Sequence, residues 1–240
     1  MRLHRFYVPE EIGSQEVIKI KDAKLMHQWR DVFRYTTGAQ VILFDGSGAE
    51  FWGIIERINP DFAEIRIVDV KKEEKGYEEG NSKASPGVWI AAAMIKNDNF
   101  DWILQKVTEL GVEGVLPMIA ERTVKKNLNM ERSLRIVQEA AEQSGRLDIP
   151  VVKEPRGLVE ILENFDGRVI VCQGGEGSKP FNKKMLSTKG NTLFLIGPEG
   201  GWSPKELEFF DKHKYVKVSV GKNVLRAETA AVAVVSLALL

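Results

Sequence analysis

The chain has 240 residues, 28% of them charged and 43% hydrophobic, and its 34 basic and 34 acidic side chains give a formal net charge of zero. This length carries one large or two modest domains with enough chain to bury a core. The balanced charge excludes a protein held to nucleic acid by bulk positive charge, although local basic patches stay possible.

The N-terminal residues Arg2, His4 and Arg5 leave no apolar stretch of signal-peptide kind. The longest apolar run, residues 230–240, is shorter than the roughly 20 residues that span a bilayer, so no membrane association is expected. Residues 1–70 read as β-rich. Residues 40–44 are apolar and lead into Asp45-Gly46-Ser47-Gly48, a turn signal. Residues 50–59 and 63–71 then alternate with period two. One helix interrupts, with Asp22 as N-cap and Leu25, Trp29, Val32 and Phe33 at helical spacing. Short strands, tight turns and one helix suggest a small barrel. Residues 71–87 are rich in charge, Gly, Ser and Pro and read as a linker or exposed loop.

From residue 88 strands and helices alternate. Strands are expected at 88–93, 114–118, 168–173, 192–196 and 216–220. Helices are expected from Asn97 or Asp98 to Glu109 and at 130–144, 158–163, 204–213 and 226–240. The pattern implies an α/β fold with a parallel sheet covered on both faces. The helix over 130–144 presents Leu134, Val137 and Ala141 for packing. The last helix is apolar almost all round and requires burial on most sides, either within the chain or against a second subunit. The single cysteine, Cys172, excludes an internal disulfide and sits in an apolar strand as a buried thiol, which fits a reduced, cytoplasmic setting. Three scattered histidines and this cysteine form no metal-ligand pattern.

Three glycine-bearing loops each follow a strand, where parallel sheets bind ligands. Ile196-Gly197-Pro198-Glu199-Gly200-Gly201-Trp202 ends in helix-start chemistry, Ser203 as N-cap and Pro204 in the first turn. Its glycines let backbone N–H groups approach a ligand. The stretch from Val220 and Gly221 through Val224, Leu225, Arg226, Glu228, Thr229 and Ala230 also opens a helix. Glu228 suits the positive end of the helix dipole, but capping leaves Arg226 unexplained on an apolar segment. The third loop begins at Gln173-Gly174-Gly175-Glu176. Arg122, Lys125 and Lys126 follow a strand as either a solvated face or a site. Gln143, Ser144 and Arg146 end a helix as either a cap or part of a polar pocket. Neither nucleotide fingerprint, GxxxxGK[ST] or GxGxxG, is present, which disfavours a nucleotide-dependent enzyme.

The paired motifs at 196–203 and 220–230 closely resemble those of the small-subunit ribosomal RNA uridine-N3 methyltransferases, the RsmE family of the SPOUT superfamily. Upstream segments agree: Lys106 to Val112, Pro117, Glu121 to Lys125, Glu139 to Arg146, Pro150, Arg5 to Val8 and Leu43 to Gly48. Two positions depart from the pattern: Gln173-Gly174-Gly175-Glu176 where relatives carry His-Glu, and Val220 where Leu is frequent.

The resemblance implies a PUA-like β-barrel at 1–70, a linker at 71–87, and a SPOUT domain at 88–240 with a parallel sheet and a deep trefoil knot. It implies a homodimer, which gives the last helix an interface to cover, and S-adenosylmethionine held by the knot loops. Carried over by position, the cofactor residues are Gln173, Ile196, Gly197, Pro198, Glu199, Gly200, Gly201, Val220, Gly221, Val224, Leu225, Arg226, Thr229 and Ala230. No metal is implied. The catalytic candidates are Arg226, to stabilise charge developing on a uracil oxygen, and Glu228, either the base or, as favoured here, a partner that orients Arg226. RNA, as ribosomal RNA or the small ribosomal subunit, is expected across Arg2, Arg5, His27, Arg30, Arg34, Arg122, Lys125, Lys126 and Arg146. The alternative reading is an RNA-binding ribosome-assembly factor with a vestigial methyl-donor pocket.

Overall fold

The computed structural model describes residues 3–72, 87–175, 177–187 and 189–240. Residues 73–86 of the expected linker, together with Arg2 and Glu176, lie outside the described residues. The chain divides into two compact units, Met1–Gly80 with Ala141–Ile149, and Asn81–Ala140 with Pro150–Leu240. Residues 141–149 thus pack with the first unit, although the sequence reading grouped them with the second half.

The first unit holds strands β1 (Arg5–Tyr7), β2 (Val17–Ile20), β3 (Gln40–Phe44), β4 (Ala49–Ile58) and β5 (Ala63–Lys72), in the order β1-β3-β4-β5-β2. β1 runs parallel to β3, and the other pairs are antiparallel. The expected turns form. Asp45 accepts from the amides of Ser47 and Ile12 at 3.0 and 2.9 Å, and Gly46 and Gly48 take positive φ. Asn59 accepts from the Asp61 and Phe62 amides to close the β4–β5 hairpin. Alternate β4 residues, including Phe51 and Ile55, enter a core with Phe6, Trp29, Leu43 and Ile65.

The single helix departs from its sequence expectation. α1 (Ala23–His27) is capped by Asp22, which accepts from the Leu25 amide. It then widens into a π-helical turn over Gln28–Val32, marked by the Phe33 amide bonding to the Gln28 carbonyl at 2.9 Å. The wider turn changes which residues share a face. Trp29 is fully buried, whereas Val32, expected beside it, is 63% exposed.

From residue 88 the elements are β6 (Val88–Ala93), α2 (Asn97–Leu110), β7 (Gly114–Ile119), α3 (Met130–Ser144), whose last residues belong to the first unit, β8 (Val151–Val152), β9 (Arg156–Gly157), α4 (Leu158–Asn164), β10 (Gly167–Cys172), β11 (Lys179–Pro180), β12 (Asn191–Ile196), α5 (Pro204–Lys212), β13 (Val216–Ser219) and α6 (Ala227–Leu239). The expected strands and helices form, and the short β8, β9 and β11 are additional. The sheet order is β11-β13-β10-β12-β6-β7-β8, with β9 also on β7, and every pair is parallel. The central strands are buried on both faces, so Ile170, Val171, Leu193, Phe194 and Leu195 form continuous apolar runs.

Three details correct the sequence reading. Lys96 rather than Asn97 or Asp98 precedes the first turn of α2, without a side-chain cap. Leu134 of α3 is exposed, while Val137 is buried. α6 starts after Arg226, packs on α2, β6 and β12 and buries Ala231, Val234 and Val235, yet leaves Leu237 and Leu239 partly exposed. No described helix is long and apolar enough to cross a membrane.

Candidate active site

A cavity of about 1460 Å³ lies at the carboxyl ends of adjacent strands of the second unit. The three glycine-bearing loops converge on it. Gln173 and Gly174 follow β10, residues 197–202 follow β12, and residues 220–226 follow β13. Thirteen of the fourteen expected cofactor residues line it, from Gln173 and Ile196 through Gly201 and from Val220 to Ala230. Thr229 is exposed and is not among the lining residues.

The loop after β12 is held from several sides. The Gly201 amide closes a turn onto the Pro198 carbonyl at 2.8 Å, with Gly201 at φ +68. The indole N–H of Trp202 donates to the Cys172 carbonyl at 3.1 Å, which ties this loop to the end of β10. A Cβ on Gly197 would meet the Trp202 ring at 3.0 Å, so the indole occupies the space a side chain would need. Ser203 and Glu206 complete a capping box at the start of α5. The Ser203 hydroxyl also donates to Glu121 at 2.6 Å, and Glu206 accepts from the Glu121 amide at 2.9 Å. The nearly buried Glu206 carboxylate therefore has a partner on each oxygen.

Arg122, expected to face RNA, is exposed and also braces this loop. Its guanidinium donates to the Gly200 carbonyl at 2.7 Å and reaches the Trp202 carbonyl at 3.4 Å. Lys125 lines the cavity, and Lys126 is exposed away from its lining.

Arg226 and Glu228 both line the cavity. The pairing favoured from sequence does not form: no ion pair joins them among the described residues, and Glu228 Oε2 is buried without a hydrogen-bond partner. Gln173 Oε1 is likewise buried and unpartnered. α6 begins at Arg226 as a main-chain N-cap, which places Glu228 in the first turn, where the helix dipole favours a carboxylate. Burial pushes the Cys172 thiol up to about 12, so it stays protonated at neutral pH and is no nucleophile.

Sequence reasoning missed one wall. Met94, Ile95, Lys96 and Asn99 line the cavity beyond the end of β6, the neighbour of β12. The rule that led to the three loops applies equally here, but this segment carries no glycine to mark it.

The remaining RNA candidates among the described residues lie in the first unit. Arg5 pairs with Glu50 at 2.6 Å, His27 with Asp31 at 2.6 Å, and Arg146 with Asp148 at 2.7 Å. Arg30 and Arg34 border a smaller cavity of about 410 Å³ with Tyr35, Thr36 and Thr37. No group of three or more potential metal ligands occurs among the described residues.

Such a cavity at the carboxyl edge of a parallel sheet defines a small-ligand α/β domain, and residues 83–239 match the RNA methyltransferase domain family. Ribosomal RNA small subunit methyltransferase E of Bacillus subtilis is 30% identical over 221 residues, covering 85% of this chain and 83% of that protein. The Rickettsia conorii protein of the same name is 27% identical over 239 residues, covering 98% and 95%. The same-named enzyme of Neisseria gonorrhoeae, solved bound to S-adenosyl methionine, superposes with a TM-score of 0.83 at 26% identity, covering 98% of this chain and 95% of that one. The chain belongs to the ribosomal RNA small subunit methyltransferase E family.

Proposed function

We propose that this protein transfers the methyl group of S-adenosylmethionine to N3 of a uridine in small-subunit ribosomal RNA. On this reading it works in the cytoplasm as a homodimer, with a PUA-like barrel for the first unit and a trefoil-knotted SPOUT domain for the second. The observation that carries the activity is the convergence of three glycine-bearing loops on one cavity, where Glu228 Oε2 and Gln173 Oε1 are buried without partners. Both are acceptors: S-adenosylmethionine offers amino groups and ribose hydroxyls to match Gln173, which leaves the Glu228 oxygen for a proton. The volume exceeds the ~300–1,000 Å³ of an ordinary small-ligand pocket, which leaves room for a second reactant. The knot is supported by the path of the chain: β13 lies outside β10, and α6 returns to pack on β6 and β12. The partly exposed Leu237 and Leu239 on α6 support a dimer.

The donor, when bound, supplies an electrophilic methyl on a sulfonium. The protein's task is alignment, worth roughly 7–11 kcal/mol of a barrier, and disposal of the N3 proton. Backbone at Ile196, Gly197, Gly200, Val220 and Leu225 positions the donor, with Arg122 fixing the loop through Gly200. As the N3 proton is removed, negative charge spreads to the uracil oxygens, where the Arg226 guanidinium would stabilise it; forming the N3–C bond spends that charge while the S–C bond of the sulfonium breaks and the donor leaves as a neutral thioether. Glu228 is not tied to Arg226, so its free oxygen accepts the N3 proton. Incubation of small-subunit ribosomal RNA, or of assembled subunits, with protein and donor, followed by mass mapping, tests the reading. A single N3-methyluridine is expected. Donor binding by calorimetry without methylation of either substrate would point instead to a binding protein.

A further inference from the structure

One charged surface is not used by that reading. Residues 177–198 and 212–227 contain no aspartate or glutamate, although acids make up about one residue in seven of the chain, and together they carry nine lysines and arginines. The two segments are neighbours in space, because β11 pairs with β13 through Lys179 opposite Val218 and Pro180 opposite Ser219. A chain with zero net charge has therefore collected an excess of cations at one edge of its catalytic sheet.

Few of these cations are neutralised. Lys217 pairs with Asp211 at 2.6 Å. Lys179, Lys183, Lys184, Lys214 and Lys222 are exposed and form no ion pair among the described residues. Of the nearby carboxylates, Asp211 is committed to Lys217, Glu206 is held in the capping box, Glu208 is exposed on α5, and Glu199 stands at the cavity. A single lysine suffices to protect a two-residue edge strand from pairing with another chain. The rest lie off the strand and need another explanation. The second segment ends at the cavity itself, where Gly221 and Arg226 are lining residues on either side of Lys222.

We propose that the β11–β13 edge is a docking surface for the phosphate backbone of the RNA substrate, leading along residues 220–226 to the cavity. It rests on the reading of the protein as an RNA methyltransferase. Phosphates are the partner this chemistry fits: flexible ammonium groups that form no ion pair among the described residues give attraction that does not depend on base sequence and falls with salt.

The triple variant K179E/K183E/K184E tests it, since all three side chains are exposed and none belongs to the cavity. Binding to naked small-subunit ribosomal RNA is measured across a potassium chloride series, with calorimetry of S-adenosylmethionine on the same preparations. The variant is expected to bind RNA about tenfold or more weakly, with the slope of log affinity against log salt reduced by about 2, at ~0.7–0.9 per lost phosphate contact. Donor binding should not change, which also reports an intact fold. Wild-type affinity and slope in the variant would overturn the proposal. Unchanged RNA binding with lost methylation of assembled subunits would assign the edge to a protein contact and also overturn it. If wild-type protein methylates no ribosomal RNA but the slope still drops, the activity fails and the docking surface stands.

Discussion

Two loops of the second unit perform the same topological task and are built in opposite ways. Residues 197–203 join β12 to α5, and residues 220–226 join β13 to α6; both contain glycine and both line the cavity. The first is fastened by Arg122, by the Trp202 indole, by the turn closing at Gly201 and by the Ser203–Glu206 capping box with Glu121 behind it. Among the described residues no side-chain hydrogen bond holds residues 220–225, and Val224 is 93% exposed. One wall of the site is thus preorganised by the protein's own hydrogen bonds, while the other carries none of these side-chain fastenings.

The largest effect is expected in the open loop, at the residue that meets charge during the reaction. Arg226→Ala should lower methyl transfer by about 10²–10³-fold in a tritium-transfer assay, by the scale of a lost oxyanion donor. Donor affinity should stay within about threefold, because the loops contribute mainly backbone. Near-wild-type turnover would remove Arg226 from the chemistry. Glu228→Gln should cost about 10²-fold or more in the same assay, the contribution of a positioned base. Near-wild-type turnover in Glu228→Gln would send the proton elsewhere.

The fastened loop should respond through binding and stability. Arg122→Ala removes a charge-assisted bond worth about 1.5–3 kcal/mol, so donor affinity by calorimetry should fall roughly tenfold. The salt slope for RNA should not move, and a reduced slope would return Arg122 to the RNA-facing role expected from sequence. Ser203→Ala removes the cap and the bond to Glu121. It should cost about 1–2 kcal/mol in denaturant unfolding, with a smaller effect on donor binding. An unchanged midpoint would mean that the α5 start is held by packing alone.

The contrast between the loops also explains what was legible in the sequence. Strands β3 to β6, helix α3 and helix α5 with its Ser203 cap could be read because local pattern and tertiary burial agree there. Strands β1 and β2 were missed because three or four residues carry too little periodicity, and two-residue β8, β9 and β11 carry none. The glycine loops were visible as loops, but their convergence depends on the order β13-β10-β12, which no local pattern encodes. The π-helical turn at Gln28–Val32 was invisible because one extra residue per turn leaves the apolar spacing looking helical. The partners of Arg122 were misjudged for a related reason. They are backbone carbonyls 78 and 80 residues away, and carbonyls leave no trace in the sequence.

The smallest expected effect bears most directly on the open loop. Val224 is 93% exposed, so Val224→Ser should leave the denaturation midpoint unchanged within about 0.5 kcal/mol. Val224 also lines the cavity. If donor binding draws the loop inward, this side chain passes from water to an apolar contact, and burying a valine is worth about 1.5 kcal/mol. Val224→Ser should then weaken donor affinity about three- to tenfold while stability stays put, and the heat-capacity change on binding should become less negative. A residue that matters to the complex and not to the free fold marks a wall completed by its ligand. Equal donor affinity in Val224→Ser and wild type would show that the loop does not close over the donor, and the contrast with the fastened loop would then be one of hydrogen bonding alone.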